Sequence, residues 1–189
     1  MILIQFTGLS GSGKTTLARN VASLLAAQGH KVEIIDGDIY RKTLCKDLGF
    51  SKEDRCENVR RLFNVGQNFV QSEVIVLLSV INPYEALRNE IGSHSFVRTV
   101  FLDCSIDNLI VRDPKGLYKK ALLPDNDSNK INNFTGISDV YEIPLKADLV
   151  LKTDSESESV STNKLYSFIL DNLTHVVQEQ HNLTNKINL

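Results

Sequence analysis

The segment Gly8-Leu9-Ser10-Gly11-Ser12-Gly13-Lys14-Thr15 fits the pattern G-x-x-x-x-G-K-[ST] in full. These residue types suit the holding of a chain of phosphates. Glycines let backbone N–H groups turn inward on a β-phosphate, and the helix that follows aims its positive end at the anion. Lys14 reaches the β and γ oxygens, and Thr15 offers a hydroxyl to Mg²⁺. The expected triphosphate site therefore runs from Gly8 through Thr16. A switch GTPase would also carry D-x-x-G after a strand and N-K-x-D to read its base. Asp113-Pro114-Lys115-Gly116 supplies the letters of the first but falls in an irregular stretch, and N-K-x-D is absent. A nucleotide sensor without catalysis stays open at this point.

A second set of residues carries the acceptor chemistry. The apolar run 74–80 ends in Ile81-Asn82-Pro83, with no Asp at the place where many nucleotidases put the carboxylate that holds Mg²⁺ through water. Asp36-Gly37-Asp38 lies instead at the end of another apolar run, at the sheet edge where open α/β folds collect ligands. One carboxylate, Asp36, can assist the metal through water, while Asp38 accepts a hydrogen bond from an attacking hydroxyl. The plainer alternative is an Asp-Gly turn with Asp38 as a helix N-cap. Nearby stand Arg41, Lys42, Lys46, Arg55, Arg60 and Arg61, with Lys115, Lys119 and Lys120 further on. In a chain of formal net charge −2 this is a local concentration, which suggests a small, highly charged second substrate and not nucleic acid.

The elements that must position these groups follow from the pattern. At 189 residues, 42% of them hydrophobic and 23% charged, the chain is one globular domain and not a disordered or collagen-like one. Short β-rich runs at 2–7, 31–36, 74–80, 96–103 and 148–152 alternate with amphipathic stretches, which predicts a parallel five-stranded α/β sheet with helices on both faces. Leu17, Val21, Leu24 and Leu25 share one face of a helix over 14–28 that Gly29 stops. Ser51 and Asp54 resemble a capping box ahead of Val59, Leu62, Phe63, Phe69 and Val70. Leu165, Phe168, Ile169, Leu173 and Val176 mark a last helix, so the domain is expected to span 1–178 with a frayed tail over 179–189. The stretch 112–139 lacks periodicity and is too long for a plain connection, so it reads as a mobile lid. The Ser/Glu-rich run 154–162 reads as a solvated turn. No apolar run approaches the ~20 residues of a membrane span, and no export signal opens the chain. Cys45, Cys56 and Cys104 show no metal-ligand spacing and suit reduced thiols in a cytoplasm.

Several longer segments share a common source: FTGLSGSGKTTLA, IIDGD followed by Arg41, DLGFSKEDRCENVRR, INPY, RDPKGLYKKA, and NFTGI with Tyr141-Glu142-Ile143-Pro144 behind it. In order and spacing the chain resembles the adenylylsulfate kinases, whose fold is similar to that of nucleotide kinases. The resemblance implies transfer of the γ-phosphoryl of ATP to the ribose 3′-hydroxyl of adenosine 5′-phosphosulfate, giving PAPS for sulfate activation, with Mg²⁺ as cofactor. It implies that Arg41, Arg55 and Asn58 hold the acceptor's phosphosulfate and ribose, and that Phe50 and Phe134 sandwich its adenine. It further implies that Ile81 and Asn82 line the acceptor site, that Lys115 and Leu117 close over it, and that Arg112 lies on the ATP side. Asp38, Lys14 and Asp36 form the expected catalytic set, with Thr15 and Asp36 nearest the metal. A homodimer follows from the same resemblance, as does a stand-alone kinase, since no sulfurylase domain fits this length. The chain departs from the family in two places. Asn82 stands where the family usually has Ser, and 122–133 is longer and richer in Asn and Asp than the usual lid. These leave room for a relative that phosphorylates another nucleotide with a modified 5′ group, such as cytidine diphosphoramidate in capsule biosynthesis.

Overall fold

The computed structural model describes the backbone of residues 1–187 and the side chains of residues 1–173. Its centre is the strand β1 (Leu3–Thr7), buried along its whole length. Alternation along this strand builds two cores. Ile2, Ile4 and Phe6 face α1 (Lys14–Ala27) and α7 (Glu158–Ile187), where they meet Leu17, Val21, Leu25, Leu165 and Ile169. Leu3 faces the other side, toward Val59, Leu62 and Phe63 of α3 (Lys52–Gln71) and toward Leu87 and Ile91 of α4 (Glu85–Gly92). A strand covered on both faces needs apolar residues at nearly every position, which explains the near-continuous runs in the sequence.

Strands β2 (Val32–Asp36), β3 (Ile75–Ser79), β4 (Val97–Asp103) and β5 (Leu149–Lys152) complete the sheet. Their order is β2-β3-β1-β4-β5, with every pairing parallel, as the alternating pattern predicts. Parallel crossovers place the ends of β1, β2 and β3 side by side at one edge. The phosphate loop, Asp36 and the 81–83 turn all emerge there. Helix α3 starts where expected, with the Ser51 hydroxyl accepting a hydrogen bond from the Asp54 N–H at 3.1 Å. The three cysteines are free thiols, two of them buried.

The structure differs from the pattern reading in four places. Helix α4 and α5 (Ile106–Arg112) have no counterpart in it, because each is short and its apolar residues run on from a neighbouring strand. The stretch 112–139 contains α6 (Leu117–Ala121), anchored by buried Tyr118 and Ala121. Residues 154–162 are more than a solvated turn: Ser161 and Thr162 are buried, and Glu156 receives Lys164 at 2.9 Å. Finally, α7 continues through position 178 to Ile187, with no Pro or Gly in its span to stop it. Residues 188–189 of the expected frayed tail lie outside the described residues, as does the side chain of Val176.

Candidate active site

Gly13 caps α1 in the left-handed region, at φ 99°, a conformation open to glycine at little cost. That turn folds the loop so that the Lys14 ammonium donates to the carbonyls of Gly8 and Leu9, each at 2.8 Å, and reaches Ser12 Oγ at 3.4 Å. Lys14 is therefore half-buried and folded back, and not on an exposed loop. Loss of solvent, and next the charge of Lys115, push its pKa down to about 7, while Asp38 and Asp36 oppose the shift. The Leu9 side chain points away from the loop into a small cluster with Leu109, Tyr118 and Phe134. Only the backbone of Leu9 is left to serve a phosphate. There Leu9 sits against Gly136, where an added Cβ would lie 2.6 Å from Leu9 Cδ2.

The carboxylates divide the work differently from the simplest expectation. Asp36 is the N-cap of α2 (Gly37–Tyr40), accepting from the Asp38 N–H at 2.9 Å, and its other oxygen accepts from the Thr15 hydroxyl at 2.8 Å. Capping by Asp36 leaves the Asp38 carboxylate free to reach across the cleft, where it pairs with Lys115. Asp38 is thus not the cap. Ser79 Oγ lies 3.5 Å from Thr15 Oγ1, adding a third hard oxygen to this corner. Oxygen donors of this kind fit a magnesium ion that shares its shell with phosphates and water. Among the described residues, no group of three or more His, Cys, Asp or Glu side chains could hold a metal ion by itself.

A cleft of about 700 Å³ joins this corner to the acceptor residues. Lys14, Thr15, Thr16, Asp36 and Asp38 line one end; Arg41, Phe50, Arg55, Asn58, Ile81, Asn82, Lys115, Leu117 and Phe134 line the rest. Arg41 donates to the Gly49 carbonyl at 3.0 Å and lies 4.5 Å over the Phe50 ring, with Arg55 5.4 Å from the same ring. Burial first, and then Arg55, push the Arg41 guanidinium down from its ordinary pKa. Arg55, itself buried, donates to Phe50 O at 3.1 Å and to Asn133 O, and pairs with Asp139 at 3.1 Å. It therefore ties the 112–139 stretch to the start of α3. Phe50 is 57% exposed, an unusual state for a phenylalanine, and so open to a stacking partner. Phe134 meets the edge of Tyr118 at 5.0 Å.

Other candidates fall elsewhere. Arg112 lines a separate hollow of about 250 Å³ with Ser12, Gly13, Thr16, Thr153 and Glu156, on the far side of the phosphate loop. There it donates to the Thr153 carbonyl at 2.6 Å. Arg60 pairs with Glu90, and Arg61 with Asp47 and Glu57, so both are surface ion pairs away from the cleft. Spacing along α3 put them in the basic cluster, but helical phase turns them outward.

The pattern reading missed several residues. Tyr118 donates to the Ser10 carbonyl at 2.9 Å, pinning α6 to the phosphate loop. Thr7 Oγ1 lies 2.8 Å from Tyr141 Oη and donates to the carbonyls of Ile81 and Asn82. Arg88, 2% exposed, donates to the carbonyls of Asn82 and Glu142. Each bond joins residues far apart in the chain. The available signal was Tyr141-Glu142 within the resembling segments.

Comparison with known proteins agrees with this geometry. The family profile described as adenylylsulphate kinase matches residues 1–152. An adenylyl-sulfate kinase of Chloroflexus aurantiacus is 45% identical over 181 residues, covering 95% of this chain and 94% of its own. One from Halothermothrix orenii is 43% identical, covering 89% of each. The solved structure of the Mycobacterium tuberculosis APS kinase in complex with AMPPNP and APS superposes with a TM-score of 0.81 at 35% identity, covering 89% of this chain and 96% of that one. Motif, sheet order and cleft thus lead to one assignment: the chain belongs to the adenylylsulfate kinase family.

Proposed function

We propose that the chain transfers the γ-phosphoryl group of ATP to the ribose 3′-hydroxyl of adenosine 5′-phosphosulfate, giving PAPS and ADP. The observation that carries this reading is the single cleft that holds Lys14 and Asp38 at one end and Arg41, Phe50 and Arg55 at the other. A triphosphate seated on the loop displaces the Lys14 ammonium from the Gly8 and Leu9 carbonyls onto its own oxygens. Phosphate charge also restores the proton that burial disfavours on Lys14. Thr15, and Asp36 through water, would hold Mg²⁺, which neutralises charge on the β and γ oxygens.

On the acceptor side, Phe50 and Phe134 stack on adenine while Arg41, Arg55 and Asn58 hold the phosphosulfate and ribose. Asp38 orients the 3′-hydroxyl and takes its proton as the new O–P bond forms and the bond to ADP breaks. Since this transition state is loose, orientation and charge neutralisation matter more than base strength. The Lys115–Asp38 pair must open for that role, which makes the 112–139 stretch a lid that closes over the acceptor. Lys115 and Leu117 then cover it, and Arg112 serves the ATP side. The chain works as a homodimer in this reading, tested by light scattering for twice 21.2 kDa.

No helix among the described residues is long and apolar enough to cross a membrane. A cytoplasmic location goes with the reading and is checked by fractionation. The central test is a coupled assay of Mg²⁺-dependent ADP release with adenosine 5′-phosphosulfate against cytidine 5′-diphosphoramidate. Faster turnover of the cytidine acceptor overturns the proposed substrate, and no transfer to either overturns the enzyme.

A further inference from the structure

Among the described residues, three buried side-chain polar atoms have no hydrogen-bond partner: Asn58 Oδ1, Asn82 Oδ1 and Thr135 Oγ1. All three residues line the cleft. Buried polar atoms in folded proteins are almost always partnered, so a cluster of exceptions on one wall points to partners that a ligand brings. Asn82 is the informative member, because the family usually has Ser there and its carboxamide is particular to this chain.

The orientation of that carboxamide follows from a chain of hydrogen bonds. The Arg88 carbonyl can only accept, so the Gln5 amide must turn its NH₂ toward it, at 3.0 Å, with Thr99 Oγ1 at 2.8 Å. Gln5 Oε1 then faces Asn82 and requires a donor, which fixes Asn82 Nδ2 on it at 3.1 Å. Oδ1 is the end left over. The Asn82 main chain is equally constrained, its carbonyl accepting from Thr7 Oγ1 at 3.0 Å and from Arg88 Nη1 at 2.8 Å. Its φ of 44° lies in the left-handed region, which asparagine tolerates better than most residues. The residue is 1% exposed. Every part of it is held except one carbonyl oxygen.

We infer that Asn82 Oδ1 accepts a hydrogen bond from an N–H or O–H of the acceptor nucleotide, which makes Asn82 a specificity-determining residue. The inference deepens the proposed function and rests on the cleft taking a nucleotide acceptor. A serine hydroxyl can donate or accept, whereas a carboxamide oxygen only accepts. A ligand group bearing nothing but lone pairs, such as a sulfate oxygen, is therefore disfavoured at this point, and one bearing hydrogen is selected. Three parts of an acceptor could supply the donor: the exocyclic amine of the base, the ribose 2′-hydroxyl, or an amide on the 5′ cap.

The test compares wild type with Asn82→Gly, which keeps the φ of 44° without strain, and with Asn82→Ser. Each protein is assayed with adenosine 5′-phosphosulfate, with analogues lacking the 6-amino group or the 2′-hydroxyl, and with an amide-capped nucleotide. Deleting the recognised donor should raise the wild-type acceptor KM by about tenfold and leave the Asn82→Gly value unchanged, while the KM for ATP stays constant in all proteins. The source of the donor is the deletion to which only the wild type responds. If every deletion costs the three proteins the same factor, or if Asn82→Gly only lowers Tm and slows all acceptors alike, the inference is overturned. Calorimetric binding of the same nucleotides with ADP present separates the two proposals. Absent turnover overturns the proposed reaction, and the binding differences alone then decide the role of Asn82.

Discussion

The two ends of the cleft are built in opposite ways. The triphosphate end comes from one unbroken run, 8–16, whose polar groups bond to one another or to nearby Asp36. The acceptor end is assembled from 38–58, 79–83 and 114–135, and it leaves buried oxygens without partners. A site made of consecutive residues can be complete before its ligand arrives. One gathered from distant segments is completed by the ligand, and there specificity can change without disturbing phosphate chemistry.

The largest effect should come from the complete end. Lys14→Ala is expected to lower kcat by about 10³-fold, since it removes the cation that meets developing charge on the transferred group. Its melting curve should change in the opposite sense. Folded Lys14 loses its proton near pH 7, and the unfolded lysine keeps its proton to about pH 10.4. Between those values the unfolded state binds more protons, so stability of the unliganded protein rises with pH. Lys14→Ala should flatten that rise, as denaturant titrations at pH 7 and pH 9 would register. A steeper rise in the variant would break the assignment of the shift to Lys14.

Asp38→Asn sits where the two ends meet and should lower kcat by about 10²-fold with ATP affinity nearly unchanged in steady-state titrations. An equal loss of ATP binding would place Asp38 on the triphosphate side instead. At the assembled end, Phe50→Ala should raise acceptor KM by the equivalent of about 1–3 kcal/mol, independent of salt. Arg41→Ala should also raise acceptor KM, but its effect should shrink as ionic strength rises, because the lost contact is charge-assisted. Identical salt dependence in the two variants would remove the separation of base and anion contacts. The smallest effect is reserved for the joint between the two ends. Tyr118→Phe loses one hydrogen bond to Ser10 and should cost about 1 kcal/mol in urea unfolding.

The same contrast explains what was legible in the sequence. The phosphate loop is contiguous, so its pattern announced both its shape and its position after β1. Strands buried on both faces leave continuous apolar runs, and each expected strand matches the structure to within one residue at either end. Residues of the acceptor end entered through segment resemblance, and the structure brings Arg41, Phe50, Arg55, Asn58 and Phe134 into one cleft. Helical phase, which spacing within a basic run does not fix, removed Arg60 and Arg61 from it. The Thr7, Arg88 and Tyr141 bonds span dozens of residues, and no local pattern encodes them. Asp36 took the capping role because its carboxylate reaches the Asp38 N–H two residues on, a choice the Asp-Gly-Asp letters leave open.

The contact between Leu9 and Gly136 has a consequence for how this protein can vary. Gly136 holds φ at 90°, and a methyl group there would overlap the Leu9 side chain. Leu9 carries one of the two carbonyls on which Lys14 rests. A substitution at position 136 would therefore be felt as a fault in nucleotide handling, although 136 lies in the stretch that covers the acceptor. Lineages that remodel this cover for a new acceptor must keep the hydrogen-only side chain at 136 or trim Leu9 in step. The two positions form one inherited unit, and libraries that randomise the cover alone will recover few active variants unless position 136 is left untouched.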